Sequence, residues 1–165
     1  MKKVIGITGT LGSGKSLVKD YLTKRFNSYY VTLSTIIKTE LERKKSKLSI
    51  KSLQDFGNEL RKRYGNDILA KLAVEYLQKD KELIIIDGIR NPGEIEFLRK
   101  KFGRDFVLIA VDAPLEIRSE RSVKKEGSLY PQTFEEFVAL DERSQGKDEP
   151  CLLYTSDAAD EEDSV

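Results

Sequence analysis

Eight residues near the start of the chain, Gly9-Thr10-Leu11-Gly12-Ser13-Gly14-Lys15-Ser16, combine three glycines with a lysine and a hydroxyl in the spacing G-x-x-x-x-G-K-[ST]. That spacing serves polyphosphate binding. Glycines let backbone N–H groups turn inward around a phosphate, where a side chain would block the approach. A helix starting just after them adds its N-terminal dipole and unsatisfied amides. The Lys15 ammonium reaches β- and γ-phosphates as a point charge, and the Ser16 hydroxyl is placed for Mg²⁺. The candidate nucleotide contacts are therefore Gly9, Thr10, Gly12, Ser13, Gly14, Lys15, Ser16 and Leu17. Asp87 closes the apolar run Leu83-Ile84-Ile85-Ile86, where a carboxylate can organise magnesium, often through water. Loop and carboxylate together point to a domain that uses ATP or GTP. A GTPase switch does not fit: no Asn-Lys-x-Asp base-reading motif occurs, and Asp87-Gly88-Ile89-Arg90 is not Asp-x-x-Gly.

The elements that must hold these groups follow from the apolar pattern. Residues 4–8 form a short β-branched run leading into the glycines, which predicts a buried strand, and Leu17, Val18, Tyr21, Leu22 and Phe26 then step at helical spacing. A second strand is expected over residues 29–33, followed by a charged helix over 34–47 with Ser34 as its N-cap. Leu53, Phe56, Leu60 and Tyr64 make an amphipathic stripe; after Gly65-Asn66 a second one runs from Ile68 to Leu77. Residues 83–87 read as a strand buried on both faces of a parallel sheet. Pro92 opens a helix in its first turn, residues 106–111 give a fourth strand, and Pro114 opens a helix to about Lys125. Residues 127–131 read as a loop, and Phe134, Phe137 and Val138 mark a last helix. Alternating strands and helices imply an α/β fold built on an open parallel sheet.

Arg90 follows Asp87-Gly88 directly after the third strand. Asp87-Gly88-Ile89-Arg90 resembles the Asp-Gly-x-x-Arg segment of nucleoside monophosphate kinases, one residue shorter. With Ser34-Thr35-Ile36-Ile37-Lys38, the stripe over 53–64 and Asp141-Glu142-Arg143, the chain resembles the dephospho-CoA kinase-like and adenylate-kinase-like branch of P-loop kinases over nearly all of residues 1–150. The resemblance implies a P-loop kinase domain over 1–150, ATP and Mg²⁺ as cofactors, and a small-molecule phosphate acceptor as partner. It implies that Lys38 stands where an acceptor-phosphate arginine is common, and that Arg90 grips the acceptor phosphate with help from Arg61. It puts Arg118, Arg121 and Arg143 on a lid near residues 118–131 and its flanking helices, with Lys15, Arg90, Arg121 and Arg143 serving catalysis. Such kinases often carry an acid where Thr35 stands, and they continue past residue 150 into a further strand. The expected function is transfer of the γ-phosphoryl of ATP to a nucleoside monophosphate. Dephospho-CoA kinase, with a hydroxyl acceptor, is the alternative, and a nucleotide-binding regulatory or RNA-associated ATPase module is the reading from another class.

Composition bounds the rest. A length of 165 residues suits one domain, and 39% hydrophobic with 35% charged residues is globular. Histidine is absent and Cys151 is the single cysteine, which excludes internal disulfides, Cys/His zinc sites and histidine-based triads. No apolar run approaches the ~20 residues of a membrane span, and the start does not read as a signal peptide, so a cytoplasmic protein is expected. Residues 151–165 hold five acids and no base, so the rest carries +6 against +1 for the whole chain. This tail reads like translated sequencing adapter rather than native chain, with a disordered acidic end as the plainer reading. The excess positive charge is spread over several helices without an aromatic stacking platform, which argues against a nucleic-acid partner.

Overall fold

The computed structural model describes residues 3–78, 80–127 and 130–144. The 151–165 tail therefore lies outside the described residues. Four strands, β1 (Lys3–Thr8), β2 (Ser28–Thr32), β3 (Leu83–Asp87) and β4 (Phe106–Ala110), form a parallel sheet in the order β2-β3-β1-β4. Helix α1 (Lys15–Arg25) joins β1 to β2. Helices α2 (Leu33–Arg43), α3 (Ile50–Tyr64) and α4 (Ile68–Glu75) join β2 to β3. Helix α5 (Pro92–Phe102) leads to β4, and α6 (Leu115–Val123) and α7 (Phe134–Ser144) follow.

The period of two along β3 divides the core between the faces of the sheet. Ile84 and Ile86 join Leu33, Ile37, Phe56, Leu69 and Leu98 on the side covered by α2 to α5. Leu83 and Ile85 join Ile7 and Leu22 on the α1 side. β1 is in register with β3 on one flank (Ile7 beside Asp87) and with β4 on the other (Thr8 beside Ala110). From β1 the chain runs out to β2, past the place β3 later fills; from β3 it crosses to the opposite flank. The loops after β1 and β3 thus part at the carboxyl ends of adjacent strands, where open α/β sheets bind ligands.

The expected elements are present, with shifted ends. Ser34 does not cap α2. Thr32, still extended at φ −112° and ψ 138°, accepts the Ser34 N–H on its own Oγ1 at 3.3 Å, so Leu33 is already helical. α2 closes at Arg43, not near 47, and Lys45 two residues on takes a left-handed φ of 54°. α4 ends at Glu75 because the Tyr76 and Leu77 N–H groups turn back to Ala73 and Val74, three residues earlier. No helix among the described residues is long and apolar enough to cross a membrane.

Candidate active site

The loop after β1 is built from backbone conformations that only glycine adopts readily. Gly12 and Gly14 have φ of 77° and 105°. A Cβ on Gly12 would lie 2.4 Å from the Arg118 carbonyl oxygen, so α6 packs against the loop without room for a side chain. α1 begins with no side-chain cap and no acid in its first turn, which leaves its positive end for an anion. The Thr10 and Ser13 hydroxyls are buried without a hydrogen-bond partner among the described residues. Ser16 is exposed in the first turn of α1, and Leu17 beside it is 70% exposed.

Lys15 folds back over this loop, donating to the Gly9 carbonyl at 2.8 Å and the Thr10 carbonyl at 2.9 Å. Burial lowers its pKa from 10.5 to about 8; the charges of Arg90, Lys125 and Arg118 add to the drop, and Asp87 opposes it. A bound polyphosphate raises this pKa again, so ATP binding above about pH 8 must take up a proton. Binding enthalpies measured just above that pH should differ between buffers of different ionisation heat, and affinity should fall as pH rises further. Equal enthalpies in all buffers would contradict this placement of Lys15.

Asp87 stands at the end of β3 with its two oxygens in different states. Oδ2 accepts from the Tyr30 hydroxyl at 2.9 Å, while Oδ1 is buried with no hydrogen-bond partner among the described residues. Tyr30 is in register with Ile85 and so shares the face of Asp87, two residues further on. An orphaned carboxylate oxygen here and the exposed Ser16 hydroxyl fit a divalent cation held by few protein ligands plus phosphate oxygens.

Beyond the loop lies a cavity of about 510 Å³ whose lining includes Lys15, Ser34, Arg61, Asp87, Arg90 and Arg143. Ile37, Leu53 and Leu69 give it an apolar wall. The structure thus brings together the loop lysine, the carboxylate after β3 and three of the arginines singled out in the sequence. Arg61 is bound to Glu94 at 2.8 Å, and Arg143 pairs with Asp55 and donates from Nε to Gln54 Oε1 at 3.2 Å. Arg121 lies outside the cavity but against the loop, with Nη1 3.4 Å from the carbonyl oxygens of Gly12 and Ser13.

Two expectations need correction. Lys38 does not line the cavity: Ile36, Ile37 and Leu41 fill the buried face of α2, and position 38 falls on the outer face, 3.8 Å from Glu42. Arg118 is not poised over a transferring group. It is buried in a two-pronged ion pair with Asp141 of α7, donating also to the carbonyls of Ala113 at 2.9 Å and Leu11 at 3.3 Å. It braces the phosphate loop from behind. Residues 118–123 of the expected lid accordingly belong to α6, with Ser119 and Ser122 also buried, whereas 128 and 129 lie outside the described residues. The sequence reading missed Tyr30 and Glu94. Asn91-x-x-Glu94 ahead of an apolar helix is a capping-box pattern and could have flagged the latter, whereas Tyr30 becomes visible only once strand register is known.

Parallel sheet, glycine loop and helix α1 define a P-loop nucleotide-binding fold of the kinase-like kind. The model of the AAA domain family matches residues 5–143, and the chain belongs to that family. It is 32% identical over 146 residues to the UPF0200/UPF0201 protein of Archaeoglobus fulgidus, covering 87% of this chain and 45% of that one. To the UPF0200 protein of Methanocaldococcus jannaschii it is 31% identical over 146 residues, covering 87% and 73%. The chain thus spans less than half of the first relative and about three quarters of the second. Among solved structures, shikimate kinase from Bacteroides thetaiotaomicron superposes with a TM-score of 0.57 at 15% identity, covering 88% of this chain and 78% of that one, a likeness of fold.

Proposed function

We propose that this chain is an ATP-dependent small-molecule kinase that moves the γ-phosphoryl group to the phosphate of a nucleotide-like acceptor, a nucleoside monophosphate. The observation that carries this reading is that one cavity is lined both by the phosphate-loop lysine and by Arg61 and Arg90 on the side of α3 and the β3 loop. Donor and acceptor phosphates held in such a cavity meet across a short distance, the alignment that phosphoryl transfer needs. The loop amides and Lys15 hold the donor phosphates. Ser16 and Asp87 would hold Mg²⁺, which would offset the charge of the phosphate groups. Arg90 and Arg61 receive the acceptor phosphate and spread positive charge over the equatorial oxygens. Arg121, on the outer side of the loop, supports the same charge balance.

The choice of acceptor rests on what is absent at position 35. A hydroxyl acceptor benefits from a positioned base, worth about 10²–10⁴-fold, whereas a phosphate arrives ionised and needs neutralising and aligning. Thr35 cannot supply that base; it is exposed and does not line the cavity. Asp87, tied to Tyr30, serves the metal in this reading. The dephospho-CoA kinase alternative needs Asp87 to act as base instead. A panel of nucleoside monophosphates and dephospho-CoA, each offered with ATP and Mg²⁺, decides between them: turnover of dephospho-CoA alone overturns this choice. On the preferred acceptor, Arg90→Ala should raise KM and lower kcat while leaving ATP binding unchanged, and Thr35→Asp should bring no gain in rate.

A further inference from the structure

Glu94 is fully buried beside the cavity and carries two jobs at once. Its Oε1 accepts from Arg61 Nε at 3.1 Å and Nη2 at 2.8 Å. Its Oε2 accepts from the backbone N–H groups of Arg90 at 2.9 Å and Asn91 at 3.1 Å. As the third residue of α5 it also completes a capping box with Asn91. Capping needs only an oxygen acceptor, and glutamine serves as well as glutamate. A buried carboxylate, by contrast, is tolerated only when charge-paired and fully hydrogen-bonded. The charge at position 94 is thus explained by Arg61, not by the cap.

Arg61 arrives from α3, and its Nη1 donates to Asn58 Oδ1 at 3.3 Å. These bonds engage three of the five guanidinium N–H donors, while the side chain still lines the cavity. One carboxylate therefore fixes the side chain of Arg61 and the backbone of Arg90. We propose that Glu94 is a positioning residue, setting the spacing of Arg61 and Arg90 so that both grip one acceptor phosphate monoester. This inference rests on the acceptor reading above. Without the charge at 94 the Arg61 fork loses two of the three bonds that set its plane, and the acceptor loses one of two simultaneous contacts.

The test is transfer from ATP to the best of the four ribonucleoside monophosphates, measured for Glu94→Gln, Arg61→Gln and the double variant. Glutamine keeps an oxygen for the Arg90 and Asn91 N–H groups but removes the negative charge that faces Arg61. Each single change should raise the acceptor KM about tenfold or more, with the ATP Kd from calorimetry unchanged. The double variant should match Arg61→Gln alone, because the two residues act as one unit. A wild-type KM in Glu94→Gln, or losses that multiply in the double variant, overturns the proposal. Should Glu94→Gln fail to fold, Arg61→Lys gives the answer: it keeps a charge against Glu94 without the fork, and a wild-type KM there also overturns it. A wild-type protein that neither turns over nor binds any of the four monophosphates removes the acceptor reading itself, and this inference with it.

Discussion

Lys15→Ala is expected to cut phosphoryl transfer by about 10²-fold or more, the scale of losing one electrostatic contact to the transition state. The fold should survive, because Lys15 costs the unligated protein more than it gives. Its pKa in the folded chain is about 8 against an ordinary 10.5, so between those values the unfolded chain binds more protons. Stability of the unligated protein should therefore rise as pH climbs from about 8 toward 10.5, and the alanine variant should lose this component of the rise. Thermal melts across that window, alongside single-turnover assays with ATP, test both halves. A variant that keeps most of its activity would remove Lys15 from the transfer step.

Asp141→Ala is expected to have the largest effect on stability. The Arg118–Asp141 pair joins α6 to α7 with side chains only 7% and 5% exposed. Removing one partner of such a pair strands the other charge in the interior, at a cost of about 3–5 kcal/mol. Arg118 also holds the Leu11 carbonyl, so the phosphate loop loses its brace and ATP affinity should fall in the same variant. Urea denaturation gives the first quantity and calorimetric titration the second. Replacing both residues by apolar side chains of similar volume should recover much of the stability but not the affinity. Wild-type stability in Asp141→Ala would show that Arg118 finds another partner.

The phosphate loop, the β3 run ending in Asp87 and the helix starts at Pro92 and just after Pro114 could be read from sequence because each depends on neighbours a few residues away. The unbroken apolar run over residues 83–86 likewise shows which strand is buried on both faces. The roles of the arginines could not be read in this way. Arg61, Arg118 and Arg143 are each paired with a carboxylate 33, 23 or 88 residues distant, and no local pattern distinguishes a guanidinium in a cavity from one locked in a core. Resemblance placed Lys38 at the acceptor, but an outward-facing position on α2 and a nearby Glu42 decided otherwise. Helix ends moved for a related reason: Thr32 and Ser34 are both competent caps, and the choice between them is made by where β2 stops pairing with β3 at Asp87.

The central place of β1 also governs how the protein is made. Both of its neighbours come late, Lys3 pairing with Leu83 and Val4 with Phe106. Closing contacts over such separations costs loop entropy before any burial returns it, so this topology folds more slowly than a helical chain of equal length. On the ribosome the phosphate loop is translated well before β3, yet its strand has no partner until β3 has emerged. Nascent chains that end before β3 carry the whole Gly9 to Ser16 motif without the sheet that aims it. Nucleotide binding is thus acquired only once β3 has been made, although the loop that carries it is made before β3.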